Sequence, residues 1–143
     1  IKLPYGEFVV DNTAEAVLLA GGTGITAFTA FLEGLTADVN NRVYLAYGAR
    51  APELLLYHAM IQERAAAIPQ LDVTYFVESE PAPGRKSQWI IGRVSAAGVW
   101  ARLARPFESI YYVSGPPLML KTITQELHSL GIRADAIKLD AWG

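Results

Sequence analysis

Apolar residues fall in five short runs separated by polar or breaking residues and longer mixed segments. The runs are Ala16 to Ala20, Arg42 to Tyr47, Asp72 to Val77, Ser109 to Ser114 and Ala136 to Leu139. Their length and their β-branched and aromatic content predict strands. The segments between them predict helices. One runs from about Ile25 to Leu35, and a second opens at Pro52-Glu53 and continues to about Ala67. Proline and an acid both suit a helix's first turn. Ser95 to Leu103 forms a short helix with Ser95 as its N-cap, and Leu118 to Leu130 an amphipathic one ending at Gly131, a favoured C′ residue. Pro4 to Val10 mixes a turn with an extended piece, and Pro81 to Ser87 is a loop.

Strands that alternate with helices imply a parallel sheet covered on both faces. The expected fold is therefore α/β, a five-stranded parallel sheet in order 3-2-1-4-5 with helices on both faces, Rossmann-like. Ligands of such sheets bind at the carboxyl ends of the strands, where the order reverses. That rim collects Gly21–Thr26, Gly48–Arg50, Glu78–Glu80 and Ser114–Met119.

The sharpest of these segments follows the first strand. Val17 to Phe31 reads VLLAGGTGITAFTAF, a strand, a glycine turn and a helix-compatible stretch. A turn without Cβ atoms lets the backbone approach a bound group, and the free N–H groups of the helix start favour phosphate. Gly22-Thr23-Gly24-Ile25-Thr26-Ala27 fits the pattern G-x-G-x-x-A of dinucleotide sites. Glycines placed only for packing of a tight turn would read the same way.

Composition narrows the function. The chain has 143 residues, 52% hydrophobic and 18% charged, with a net charge of −2. That is one globular domain with neither a nucleic-acid footprint nor a polybasic membrane patch. No apolar run is long enough to span a bilayer and no signal peptide is apparent, so a cytoplasmic location is expected. The absence of cysteine excludes disulfides and thiolate-held metal within these residues and fits a reducing compartment. His58 and His128 both fall inside helices, and no metal site is expected. Neither Y-x-x-x-K nor G-x-x-x-x-G-K-[ST] occurs, and Ser114 lacks a G-x-S-x-G setting, so a short-chain dehydrogenase, a P-loop nucleotidase and a serine hydrolase are poor readings.

Glu78 ends the third strand, where a carboxylate can accept from the ribose hydroxyls of NAD and repel the 2′-phosphate of NADP. A solvated loop carboxylate is the plainer alternative. Arg85 and Lys86 are cations that could pair with such a phosphate. Ser114-Gly115-Pro116-Pro117 stops the fourth strand with a rigid backbone beside the switch point, or is simply a strand end.

Together these pieces resemble the NAD(P)-binding domain of the ferredoxin–NADP reductase family. The resemblance rests on PYGEF (Pro4–Phe8), LLAGGTGITAF (Leu18–Phe28), YGAR (Tyr47–Arg50), YVSGPPLM (Tyr112–Met119) and LDAW (Leu139–Trp142), and covers nearly the whole chain. It implies that residues 1–12 are the end of a preceding flavin-binding barrel or a linker and that 13–143 are the NAD(P)-binding domain. It implies hydride transfer between a nicotinamide and FAD, with electrons passed to a one-electron acceptor. Gly22, Thr23, Gly24 and Ile25 would hold the pyrophosphate, with Thr23 toward the nicotinamide, and Gly115, Pro116 and Pro117 would flank the nicotinamide. Gly21, Thr26, Gly48, Arg50, Glu78 and Met119 complete the expected dinucleotide contacts. Ser114 stands where the family often has cysteine beside the transferred hydride, and Ala27 where it often has proline. Glu78-Ser79 replace a serine–arginine pair of NADP-dependent members, whose further lysine and tyrosine fall at Ser87 and Trp89. These changes favour NADH, with NADPH as the alternative. Asp140 and Trp142 resemble an acid and an aromatic near the flavin, which makes Ser114, Asp140 and Trp142 the expected reaction-centre residues. The expected partners are the flavin-binding domain of the same polypeptide and an electron-acceptor protein or iron–sulfur domain. The competing readings are a non-catalytic dinucleotide-binding module for regulation or docking, and a free-standing dehydrogenase using Asp140.

Overall fold

A computed structural model describes residues 10, 13–79 and 89–141. Pro4–Phe8, Glu80, Arg85, Lys86, Ser87 and Trp142 lie outside that set. Among the described residues the sheet has six parallel strands: β1 (Ala16–Gly21), β2 (Val43–Ala49), β3 (Leu71–Val77), β4 (Trp89–Ile91), β5 (Ile110–Gly115) and β6 (Ile137–Ala141). Their order is β4-β3-β2-β1-β5-β6. The five expected strands stand in the expected sequence across the sheet. The count of five is corrected to six by β4, which adds to the outer edge of β3 through Tyr75↔Trp89, Phe76↔Ile90 and Val77↔Ile91. Three residues are too few to show an alternation, so β4 exists through its tertiary pairing and not through a local pattern.

β1 is buried along all six residues because it lies between β2 and β5 and is covered on both faces. Successive side chains point to opposite faces. Leu18 and Ala20 join Ile25, Phe28, Leu32, Leu45, Ile61 and Tyr112 in one core, which carries α1 (Thr29–Gly34) and α2 (His58–Ala67). Val17 and Leu19 join Phe76, Val113, Ile123 and Leu127 in the other, beneath α3 (Ala96–Val99) and α4 (Pro117–Ser129). Each fully buried leucine, isoleucine or phenylalanine contributes about 1.5–3 kcal/mol relative to exposure, so these two cores clamp the sheet between its helices.

Two helices differ from the sequence expectation. Residues Gly22–Phe28 are a 3-10 helix, and only Thr29–Gly34 is α-helical. The hydroxyls of Thr26 and Thr29 donate to the carbonyls of Thr23 (2.8 Å) and Thr26 (3.1 Å), three residues back, which favours the tighter winding. The second helix is broken: Pro52–Leu54 form one 3-10 turn, and α2 starts only after Tyr57, whose φ is 59°. There the Leu56 N–H donates to the Tyr47 hydroxyl at 2.7 Å, and Leu55 turns into the core. The other ends are as the residues require. Ser95 Oγ accepts from the Gly98 N–H at 3.0 Å. α4 closes through Gly131 (φ 95°), with Ile132 N–H on the Leu127 carbonyl and Gly131 N–H on that of His128, a Schellman motif.

Candidate functional site: a glycine-lined cleft at the carboxyl rim

A cleft of about 310 Å³ opens at the carboxyl ends of the strands. Its wall runs from Gly21, Gly22, Pro116, Leu118 and Met119 at the β1–β5 end to Gly48, Arg50, Glu78 and Arg93 at the β2–β3 end. Four glycines at and after the ends of β1 and β5 serve three different needs. Gly22 has φ +57°, a conformation that costs a residue with a Cβ roughly 1–2 kcal/mol. A Cβ there would meet nothing within 4 Å, so the side facing the cleft is open to a ligand. Gly24 is the reverse: a Cβ would stand 2.2 Å from the Ser114 carbonyl oxygen and 2.6 Å from its carbon. This glycine lets the 3-10 turn lie directly on the backbone of β5. Gly21 and Gly115 make room for one side chain, since a Cβ on either would lie 2.3 or 2.5 Å from Met119 Sδ. Met119 is thus wedged across the ends of β1 and β5.

Because the turn begins as a 3-10 segment, the α-helical part starts seven residues beyond Gly22, at Thr29. The anion-binding capacity of the turn therefore comes from its own N–H groups at Gly22–Gly24 and less from a long helix dipole. Thr23 is exposed, Thr26 is half-buried and Ile25 is a core residue, leaving only its backbone for a ligand.

At the other end the Arg50 carbonyl accepts from the N–H groups of Glu78 (3.2 Å) and Ser79 (3.1 Å) and from Ser79 Oγ (3.1 Å). The turn after β3 is therefore fastened to the end of β2, and the Glu78 carboxylate is presented at the rim. Arg93 Nε lies 3.6 Å from Glu78 Oε1 in an exposed ion pair. Arg93, Val94 and Thr122 belong to the cleft and are missing from the sequence reading, whereas Leu118 lies within the expected rim segment Ser114–Met119. The only local signal was Gly92-Arg93-Val94 after an aliphatic pair, and it becomes informative once β4 is known. Gly92 has φ +130°, and its N–H donates to the Val77 carbonyl at 2.7 Å, which extends the β3–β4 ladder and turns Arg93 to the cleft.

Ser114 and Asp140 are brought together as register neighbours of β5 and β6, with Ser114 Oγ donating to Asp140 Oδ2 at 3.4 Å. Both are buried, and neither lines the cleft. Ser114 shares the face of Tyr112 and Ala20, on the α1 side of the sheet. Pro116 lines the cleft, and Pro117 is the first residue of α4. Trp89 does not face the cleft: it stacks on His58 with ring centroids 6.0 Å apart and lies 5.2 Å from the Tyr75 ring.

A strand, a left-handed glycine with an open flank and a rim cleft at the point of strand reversal are the parts of a dinucleotide site. The sequence profile described as the oxidoreductase NAD-binding domain matches residues 18–125. This chain belongs to that family. Curated relatives of this NAD-binding domain include one component of the Na(+)-translocating NADH-quinone reductase of Chlamydia felis, 29% identical over 153 aligned positions that span 98% of this chain and 35% of the relative. NADH-cytochrome b5 reductase 1 of Dictyostelium discoideum is 28% identical over 142, spanning 96% of this chain and 49% of the relative. The domain thus spans between a third and a half of the length of these relatives. Among solved structures, the FAD/NAD-binding domain of the Vibrio cholerae nitric oxide dioxygenase superposes with a TM-score of 0.78 at 18% identity, over 96% of this chain and 54% of that one. The flavohemoglobin of Malassezia yamatoensis, with bound FAD and heme, gives 0.77 at 22%, over 94% and 33%. Identity at that level supports the fold. Among the described residues no helix is long and apolar enough to cross a membrane.

Proposed function

We propose that this chain is the NADH-binding part of a flavin-dependent reductase, joined through residues 1–12 to a flavin-binding domain of the same polypeptide and acting in the cytoplasm. The observation that carries the reading is Gly22: left-handed, open on the cleft side, and set at the end of the central strand. A pyrophosphate fits against the N–H groups of Gly22, Thr23 and Gly24, with Ile25 and Thr26 holding the turn beneath it. The apolar end of the cleft, at Pro116 and Met119 with Gly115 and Pro117 in the backbone behind, suits the flat nicotinamide ring. The polar end, at Gly48, Arg50 and Glu78, suits the adenosine. Nicotinamide and FAD, when bound, supply the hydride chemistry, and electrons pass on to a one-electron acceptor protein or iron–sulfur domain.

This chain's own part is positional. Met119 bridging Gly21 and Gly115 sets the depth of the cleft floor. The buried Ser114–Asp140 pair keeps a hydroxyl and a carboxylate at the ends of β5 and β6, beside the strand edge where a flavin-bearing domain would dock, with Trp142 two residues further on. The names of the relatives, NADH-quinone reductase and NADH-cytochrome b5 reductase, support NADH as the reductant. Calorimetric titration with NAD+ tests the binding half: saturable binding is expected, and Gly22→Val should abolish it without unfolding the chain. Joined to the sequence that precedes Ile1 in its own gene and loaded with FAD, the protein should show bleaching of the flavin absorbance on mixing with NADH. Absence of dinucleotide binding would overturn the site, and binding without bleaching would leave a non-catalytic module.

A further inference from the structure

We infer that Arg93 is a specificity-determining residue of the cleft: its guanidinium, resting on Glu78, is the group that receives a 2′-phosphate, so the site accepts NADPH as well as NADH and Arg93 sets the ratio. The inference rests on the dinucleotide reading above and extends it to a residue that the sequence motifs do not mark. Among the described residues three ionisable side chains line the cleft, Arg50, Glu78 and Arg93, and all stand at the β2–β3–β4 end. Within that set two cations stand against one carboxylate. A lone Glu78 would repel a 2′-phosphate, but Glu78 is not alone, since Arg93 Nε lies 3.6 Å from its carboxylate.

The place of Arg93 is fixed from both sides while its side chain is free to exchange partners. On one side the Gly92 N–H is tied to the Val77 carbonyl at 2.7 Å. On the other, Val94 is buried against Gly48, where a Cβ would meet Val94 Cβ at 3.0 Å. Two residues on, the Ala96 N–H donates to Glu126 Oε1 of α4 at 3.0 Å. The backbone of Arg93 is therefore locked to the sheet and to α4. Its side chain is 78% exposed and that of Glu78 41%, so the pair is screened by water and easily opened. A phosphate dianion is the stronger acceptor and offers bidentate contact to a guanidinium, which favours the exchange when a 2′-phosphate arrives. With a 2′-hydroxyl instead, Arg93 stays on Glu78 and the carboxylate accepts from the ribose.

The test is calorimetry on the 143-residue chain with NAD+ and NADP+, and with 5′-AMP and 2′,5′-ADP to isolate the adenosine end. Wild-type protein should bind both members of each pair. Arg93→Ala should raise the Kd ratio of NADP+ to NAD+, and of 2′,5′-ADP to 5′-AMP, at least tenfold. Arg93→Lys should recover most of that loss, and Glu78→Gln should move the ratio the other way. A thermal midpoint unchanged from wild type shows that each variant is folded, and both positions are exposed enough for that. If wild type binds NAD+ but the ratio stays within twofold in Arg93→Ala, or NADP+ does not bind at all, the role of Arg93 is overturned and the dinucleotide site stands. If no dinucleotide binds, the site itself falls and this inference with it.

Discussion

The two ends of the cleft are built on opposite principles. At the β1–β5 end, backbone lies on backbone: Gly24 sits where a Cβ would be 2.2 Å from the Ser114 carbonyl, and Met119 fills the space above Gly21 and Gly115. At the β3–β4 end the defining contact is an ion pair in water, Glu78 with Arg93. The first end is steric, enters the core directly and tolerates almost no change. The second is electrostatic, screened and adjustable. In the proposed site the chemistry common to all dinucleotides, the pyrophosphate, would fall to the rigid end, and the feature that differs between them, the 2′-substituent, to the soft one. Specificity can then be altered without risk to the fold.

Substitutions can break this contrast, beginning with the largest effect. Gly24→Ala forces its methyl group into the β5 backbone, and over-packing of this kind costs about 3 kcal/mol. Chemical denaturation should show that loss, and a loss under about 1 kcal/mol would mean that the turn lifts off β5 at little cost. Buried phenols of the sheet come next. Burial pushes the phenols of Tyr75 and Tyr111 well above the ordinary value of 10.0, and raises Tyr47 as well. Their folded-state pKa values exceed the unfolded one, so the folded chain keeps its phenolic protons after the unfolded chain has lost them. The stabilisation is complete below pH 10 and drains away as the pH rises beyond it. The thermal midpoint should fall above that pH, and less steeply in Tyr75→Phe. That variant also loses the 2.8 Å bond to Gln62 Oε1 and should cost about 1 kcal/mol at neutral pH.

Gly22→Ala probes the boundary between the two ends. Nothing stands within 4 Å of the added methyl, so only the left-handed φ matters and the expected cost is about 1 kcal/mol. Dinucleotide affinity should nonetheless fall more than tenfold, because the methyl occupies the face a pyrophosphate approaches. Equal losses in stability and affinity would place the ligand elsewhere. The smallest effect on stability belongs to the soft end: Arg93→Ala should change it by less than about 0.5 kcal/mol, as exposed ion pairs generally do. A loss above about 1 kcal/mol would show that the Glu78–Arg93 pair is part of the framework.

The rigid end was legible in the sequence and the soft end only in part, for a physical reason. A glycine turn after a buried strand is visible in the chain, although the contact that requires Gly24, to the Ser114 carbonyl, is a tertiary one. Five strands and their order followed from apolar runs and the right-handed crossover rule. β4 was invisible because a three-residue edge strand draws its existence from β3, and Arg93 was invisible with it, since its contact to Glu78 spans fifteen positions and depends on that edge. The helix after the glycine turn misled in its start: threonine hydroxyls at 26 and 29 bond back to the backbone and favour a 3-10 winding that apolar spacing does not reveal. Ser114 and Asp140 were expected as reaction-centre residues, but their pairing with each other and their burial off the cleft follow from sheet alternation and register, which needed the β5–β6 pairing.

β1 comes first in the described sheet and ends in its middle, which has a consequence during synthesis. Its β2 partner follows within a few dozen residues, but β5, its other neighbour, emerges only about 90 residues after β1 ends, a delay on the order of ten seconds at ordinary translation rates. Through that interval one full edge of an uncharged, wholly apolar strand, Ala16–Gly21, has no partner. Such segments pair readily with one another in crowded nascent chains. Chains stalled or truncated before residue 110 should therefore collect in aggregates, while those extended through β5 should be recovered in solution.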